Sequence, residues 1–368
     1  MELETRAVAV NEKGLIGIVR HKLSADEDEI ILRTIEAGIC GTDKDLAMGN
    51  LPQLKLPPGQ DYLIIGHECK AEVYKAPPDS SFKEGDIVVP MVRRGCGICR
   101  LCKLGMPEYC ESGEFKELGI IGVNGCFSEF FKDELSALIK VPKGVEDVAV
   151  LAEPLSGLEK AMDQILSFQR SRIPWRCDDG SVNCRKVLII GAGPIAFLFA
   201  MLAKSNGFNN IYISNIRELR KDEIILVNTL DLKFYNSKDS YLQLYKEIGP
   251  FDLVFDTTGL PSVAAEVLQY MNYNSVLLLY GFPRKDDTGI LRPKIMNEIV
   301  YKNLGIIGSV TGPKWGFEAA LNHLASWKSQ YPTVLDIFLK TKISFDEIPD
   351  YLKRPKFNEI KVIIDFNK

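Results

Sequence analysis

The chain has 368 residues, 46% of them hydrophobic and 26% charged, with a formal net charge of −4. That length predicts two domains, and the apolar content suffices to bury a large interior. The small negative charge, without clustered basic residues, leaves no electrostatic case for nucleic acid or an acidic membrane surface as partner. No apolar run approaches the roughly 20 residues that span a bilayer, and no secretory-type leader pattern opens the chain. The expectation is a soluble, cytoplasmic protein whose nine cysteines serve metals or chemistry more than disulfides.

From residue 1 to about 150, short β-rich runs alternate with Gly, Pro and acidic turns: Glu29-Ile-Ile-Leu-Arg-Thr-Ile, Asp61-Tyr-Leu-Ile-Ile-Gly and Gly85-Asp-Ile-Val-Val-Pro. They predict a twisted, largely antiparallel β domain. Two turns within it carry chemistry: Gly38-Ile-Cys40-Gly-Thr42-Asp43 and Ile65-Gly-His67-Glu68-Cys69. The run Cys96-Gly-Ile-Cys99-Arg-Leu-Cys102 follows, closed by Cys110. Four thiolates at this spacing can surround one tetrahedral ion, and zinc takes such a set. Iron–sulfur clusters use related spacings, but only one such group is present, and a structural zinc is favoured. Arg93 and Arg94 stand beside the cluster, where their charge can balance the thiolates.

The segment Asp147–Phe168 reads as a helix, with apolar residues at three and four spacings, and Glu153 lies near its start. A polar connection then holds Cys177 and Cys184, which either bridge across a small loop or remain two free thiols. From Arg185 to about Gly312, apolar strands alternate with helix-length segments, the pattern of a parallel sheet built from βαβ units. Its first turn is Gly191-Ala192-Gly193-Pro194-Ile195-Ala196, directly after Lys186-Val-Leu-Ile-Ile. This G-x-G-x-x-A run between strand and apolar helix is a dinucleotide fingerprint in its confirming context. Gly191 permits the tight turn, Gly193 lets the backbone approach a pyrophosphate, and Ala196 allows close helix–strand packing. The next strand ends in Ser214-Asn215-Ile216-Arg217 instead of an acidic residue. A neutral amide followed by a guanidinium accepts the 2′-phosphate of NADP and leaves NAD open. The tail adds a helix around Phe317–Trp327 and a terminal strand, Ile360-Lys-Val-Ile-Ile-Asp, which can return to the first domain.

Cys40, His67, Glu68 and Glu153 together offer thiolate, imidazole and carboxylate, the mixed donor set of a catalytic zinc with an open position. Taken singly, each also reads as packing, a core histidine or a helix-start charge. Their joint presence beside the four-cysteine cluster and the fingerprint makes coincidence a poor account.

On these residues the chain resembles the zinc-containing medium-chain alcohol dehydrogenases over essentially its full length. Within that family it is most similar to the archaeal glucose 1-dehydrogenases, on Arg93–Cys99, Cys110–Phe115, Cys177–Cys184 and Leu324-Ala-Ser-Trp-Lys328. The resemblance implies an α/β protein with a GroES-like β catalytic domain over 1–184 and 313–368. A structural zinc lobe would lie at about 93–112, and a Rossmann doubly wound parallel sheet over 185–312. It implies homo-oligomers, tetramers or dimers, and two zinc ions per chain. Its reaction is oxidation of an aldose at C1 to the lactone with hydride passing to NADP or NAD. Carried over by position, Cys40, His67 and Glu68 ligate the catalytic zinc, with Glu153 a further ligand directly or through water. Thr42 accepts the substrate proton or hydrogen-bonds the developing alkoxide. Asp43 supports His67, and Asp45 can extend the relay. Cys96, Cys99, Cys102 and Cys110 hold the structural zinc, and Glu117 and Glu153 accept sugar hydroxyls. Tyr280-Gly281-Phe282 and Ser309-Val310-Thr311 line the nicotinamide.

The departures bear on substrate. Glucose-binding members carry polar residues at positions matching Val92, Gly157, Tyr301 and Thr311. Val92 and Gly157 offer no side-chain hydrogen bond, so recognition of the corresponding hydroxyls is weakly enforced. The expectation is an aldose dehydrogenase of altered or relaxed range. A polyol or secondary-alcohol dehydrogenase and a non-catalytic NADPH-binding scaffold stand as alternatives.

Overall fold

The computed structural model describes residues 2–27, 29–50, 54–283, 292–354 and 359–368. The chain divides into two compact units, one formed by Met1–Gly157 with Thr311–Lys368 and the other by Leu158–Val310. No helix among the described residues is long and apolar enough to cross a membrane.

The first unit is built on a seven-stranded sheet. Along it run Leu138–Lys140, Ile87–Pro90, Glu68–Lys75, Ile30–Gly38, Ile363–Asp365 and Lys342–Ser344, and Phe130–Asp133 also pairs with Ile30–Gly38. Alternation places Ile30, Leu32 and Ala37 of the central strand in the core with Val73, Phe127, Ile348 and Ile364. Each such large side chain contributes about 1.5–3 kcal/mol on leaving water. The terminal strand lies antiparallel to the central one, Ile363 opposite Gly38 and Asp365 opposite Glu36. The last residues of the chain thus share a sheet with its first forty. A three-stranded sheet of Arg93–Arg94, Lys116–Leu118 and Gly122–Val123 flanks the cysteine run.

The second unit holds six parallel strands in the order Lys233–Asn236, Asn210–Asn215, Lys186–Ile190, Phe251–Asp256, Met271–Leu279 and Gly305–Gly308. With the strands counted in chain order this is 3-2-1-4-5-6, the Rossmann arrangement. Val187, Leu188 and Ile189 and all of Phe251–Asp256 are buried, as a sheet covered on both faces requires.

The long helix runs Ala152–Arg170, five residues later than the sequence pattern suggests, because a 3-10 turn at Ala149–Leu151 precedes it. The change of pattern predicts a boundary at residue 185, whereas the second compact unit takes in most of this helix. Within that unit Lys160 donates to the Val310 carbonyl at 2.5 Å and Gln169 to that of Asn274 at 3.0 Å. Cys177 and Cys184 are joined in a disulfide, their Cα atoms 5.8 Å apart.

Candidate active site

Strand register assembles the first cluster. Ile30–Gly38 is central, with Gly38 opposite Glu68 on one side and Ile363 on the other. Cys40 sits two residues past the end of that strand and caps the short helix Gly41–Ala47. Sulfur of Cys40, a ring nitrogen of His67 and a carboxylate oxygen of Glu68 all lie within 4.8 Å of one another. Lys361 completes the surroundings. Its ammonium pairs with Glu68 and donates to the Ile39 carbonyl at 3.1 Å. The two side chains meet across the central strand because position 38 is glycine; a Cβ there would lie 2.9 Å from Lys361 Cε and collide with Glu68 Oε2.

Asp43 supports the histidine. Fully buried, it accepts the Cys40 N–H on Oδ2 at 2.8 Å, and its Oδ1 lies 3.4 Å from His67 Nδ1. That contact is at ion-pair distance but off the line of a formed hydrogen bond, and neither atom has a hydrogen-bond partner among the described residues. Burial opposes protonation of His67, yet the Asp43 charge outweighs it and holds the imidazole well above its ordinary range. With Nδ1 turned to Asp43, Nε2 is the nitrogen left for a metal. Thr42 Oγ1 stands 3.8 Å from Cys40 Sγ. Glu153 lies outside the group of three that closes to 4.8 Å. Burial, then the neighbouring Glu68 charge, push its carboxyl up to about 8. A thiol, an imidazole and a carboxylate converging at one point are donor types that fit a zinc ion, which would compete with their protons. The other histidines lie elsewhere, His21 against the Tyr62 hydroxyl and His323 beside the Trp327 ring.

The second cluster is Cys96, Cys99, Cys102 and Cys110, their sulfurs within 4.8 Å of one another. Backbone N–H groups of Cys99 and Cys102 point at Cys96 and Cys99 sulfurs at 3.3 and 3.5 Å, the polarity that stabilises thiolates. Ser112 and the Cys99 and Ile98 amides draw Cys96 down to about 6, whereas burial pushes Cys102 up to about 12. Four sulfurs converging at this distance are the donor set of a tetrahedral zinc, which would hold them as thiolates together. The adjacent arginines correct the sequence reading. Arg93 pairs with Glu117, and Arg94 pairs with Asp133 while donating to the Met91 and Val92 carbonyls. Strand pairing sets Glu117 opposite Arg93, and a carboxylate and two local carbonyls claim Arg94.

In the second unit the fingerprint turn follows Lys186–Ile190. Gly191 has φ +110°, and a side chain there would strike Thr257 Oγ1. Gly193 caps the helix Pro194–Ser205 and faces open space, with Pro194 at its first position and Ile195 next; Ala192 and Ala196 are buried. The helix start thus offers its amides to an anion. Asn215 ends its strand, and Ile216 is exposed. Arg217 is held in a way the sequence does not disclose: Nη1 and Nη2 donate to the buried Glu223 at 2.8 and 2.6 Å. Glu223 also accepts the Arg220 N–H at 2.7 Å, so it orders the whole turn. Tyr280 and Gly281 donate to the Asp256 carbonyl, and Phe282 is exposed. Ser309 Oγ is buried with no partner among the described residues, and Val310 receives the Lys160 bond. These segments all sit at carboxyl ends of the parallel strands, where this architecture binds ligands. Thr311 belongs to the first unit; it has φ +53° and a buried hydroxyl also lacking a partner among the described residues.

Comparison with known proteins matches both halves of the chain. The alcohol dehydrogenase GroES-like domain matches residues 26–143, and the glucose dehydrogenase C-terminus matches residues 146–366. Glucose 1-dehydrogenase 2 of Saccharolobus solfataricus is 39% identical over 96% of this chain and 93% of its own. Glucose 1-dehydrogenase of Metallosphaera sedula is 38% identical over 92% of each. The structure of Haloferax mediterranei glucose dehydrogenase in complex with NADP, zinc and gluconolactone superposes with a TM-score of 0.87 at 26% identity, covering 99% of both chains. With both of its halves matched and its relatives aligned nearly end to end, the chain belongs to the GroES-like medium-chain alcohol dehydrogenases, in the branch that carries the glucose dehydrogenase C-terminal domain.

Proposed function

We propose that this protein oxidises an aldose at C1 to the lactone, with NADP as the preferred acceptor and NAD also used. The observation that carries the reading is the convergence of Cys40, His67 and Glu68 beside Asp43, in a chain with a dinucleotide turn at Gly191–Ala196. A zinc ion held by these three would supply Lewis acidity to the sugar hydroxyl, and NADP the hydride acceptor. Cys40 and Glu68 provide charge, and Asp43 fixes the His67 ring so that one nitrogen faces inward. Thr42 takes the hydroxyl proton, or steadies the oxygen as the proton leaves for solvent. Glu117 and Glu153 accept hydrogen bonds from the remaining hydroxyls, Glu153 as a ligand or through water. The C1–H bond breaks as hydride, the hydroxyl loses its proton, and the carbon gains one bond to oxygen.

Cys96, Cys99, Cys102 and Cys110 hold a second, structural zinc in this reading, giving two per chain. A homo-oligomer, tetramer or dimer, is the assembly proposed, and the cytoplasm the compartment. Arg217, already oriented by Glu223, is the partner proposed for the 2′-phosphate. One observation favours a shifted substrate range: Val92 packs with Ile120, Ile121 and Phe115 in an apolar cluster and offers a sugar hydroxyl no side-chain hydrogen bond.

Initial rates with NADP, then NAD, across glucose, galactose, xylose, arabinose, sorbitol and simple alcohols test the proposal. Turnover of aldoses is expected. Turnover only of polyols or simple alcohols would refute the aldose assignment. Metal analysis should give two zinc ions per chain; one, bound by the cysteines alone, would favour a scaffold.

A further inference from the structure

Arg93 lies opposite Glu117 in the antiparallel pairing of Arg93–Arg94 with Lys116–Leu118. Its guanidinium reaches three ways. Nε and Nη2 donate to Glu117 Oε1 at 3.0 and 2.7 Å, and Nη1 donates to the Glu108 carbonyl at 3.0 Å. Its Cζ sits 3.9 Å from the centre of the Phe115 ring. Both charged side chains are only 12% exposed, so solvent screens the pair little. Glu108 belongs to the 3-10 turn Pro107–Tyr109, inside the stretch that Cys102 and Cys110 close. At the other end, Glu117 leads in two residues to Gly119, whose backbone stacks on Gly66 beside His67; a Cβ at 119 would come within 2.7 Å of Gly66 N. One rigid fork thus spans from the cysteine loop to a strand abutting the His67 turn.

Both donors to Glu117 fall on Oε1, and Oε2 accepts no hydrogen bond among the described residues. We infer that Arg93 is a positioning residue: it holds Glu117 with Oε2 presented to the sugar and makes that orientation depend on the metal-loaded cysteine loop. The inference rests on the reading of Glu117 as a sugar contact. Without Arg93, a largely buried carboxylate loses its counter-ion and its rotamer constraint together. Without metal in the loop, the Glu108 carbonyl no longer anchors the third arm.

The test uses the zinc-loaded enzyme as Arg93→Met, Arg93→Lys, Glu117→Gln and the Arg93→Met/Glu117→Gln double variant. Each is read as KM for glucose, KM for NADP, kcat, and the rate of zinc release to a metallochromic chelator. Arg93→Met should raise KM for glucose about tenfold while leaving kcat and KM for NADP nearly unchanged. Arg93→Lys should recover part of the loss, since an ammonium can pair with Glu117 but cannot fork to Glu108 as well. The double variant should match Glu117→Gln alone, because a residue acting through Glu117 then has nothing to position. Additive losses overturn the inference, as does an unchanged glucose KM in Arg93→Met where Glu117→Gln raises it. An unchanged KM in Glu117→Gln instead overturns the reading of Glu117, and the inference with it. Zinc release is independent of substrate: Arg93→Met should release one zinc per chain faster than the wild type, and equal rates overturn the link to the cysteine loop.

Discussion

Lys361→Met perturbs the proposed catalytic centre without altering any of its donors. The Lys361 and Glu68 side chains are 4% and 2% exposed, and the ammonium makes both the ion pair and a bond to the Ile39 carbonyl. Removing one member of a buried ion pair costs about 3–5 kcal/mol, because the surviving charge is left uncompensated. For a folding unit of this size each kcal/mol shifts Tm by about 2–4 °C, so the zinc-free variant should melt about 6–20 °C below the wild type. A zinc ion at Cys40, His67 and Glu68 brings the positive charge that the variant lacks, and most of the deficit should disappear on loading. By linkage the variant must then bind that zinc more tightly than the wild type does. Scanning calorimetry on both proteins, each zinc-free and zinc-loaded, measures the difference; the cysteine loop is emptied or filled alike in both. Adding Glu68→Gln to Lys361→Met should restore most of the zinc-free stability, since the carboxylate that Lys361 neutralised is then gone. An equal drop in Tm with and without zinc would refute the reasoning, because Lys361 would then be contributing packing alone.

Three further outcomes follow from the same geometry. The Glu153 carboxyl stands near 8, above its ordinary 4.5, so the folded zinc-free protein holds this proton more tightly than the unfolded chain. Its stability should therefore fall as pH rises from about 4.5 towards 8, and Glu153→Gln should flatten that slope in a series of melting curves. Glu68→Gln should impair zinc retention or turnover more than Cys69→Ser, whose sulfur is buried in the adjoining core; near-wild-type behaviour of both would count against Glu68 as a ligand. Arg217→Ala should lower the NADP-to-NAD ratio of kcat/KM by about tenfold or more. An unchanged ratio would mean that Arg217 serves only the turn it shares with Glu223.

What was legible in the sequence was chemistry confined to short windows. Cys96–Cys110 and Gly191–Ala196 announce themselves because a loop around one ion, or a turn between one strand and one helix, fixes residue types at fixed offsets. Cys40, His67 and Glu68 are intermediate: each turn is readable, but their meeting depends on Gly38 pairing with Glu68 across the sheet. The sequence marks Lys361 only as an anomaly, a lysine in the apolar run Ile360-Lys-Val-Ile-Ile of a buried segment. Its partner lies 293 residues away, and only the return of the terminal strand to the central one brings them together. The same holds for Arg93, assigned by proximity in sequence to the thiolates and claimed instead by the residue opposite it in a two-strand ladder.

That contrast bears on how the proposed centre works. Cys40 and His67 stand in turns beside the strand ends, whose backbone is open to ligands, while Glu68 opens the strand Glu68–Lys75, whose register is rigid. Gly38 is the joint between the two systems. Any side chain there would collide with Glu68 Oε2 and press on Lys361. Gly38→Ala should therefore act on Glu68 from the opposite direction to Lys361→Met, pushing the carboxylate out of its pairing while leaving both charges in place. A separated but intact pair remains free to re-form when the strand relaxes, so the zinc-free protein should lose less stability than in Lys361→Met. Zinc binding should weaken, because the displaced carboxylate no longer converges with Cys40 and His67. The two variants then move zinc affinity in opposite senses, which competition with a chelator of known affinity reads directly. Movement in the same sense would show that Glu68 answers to the sheet as a whole and not to the charge beside it.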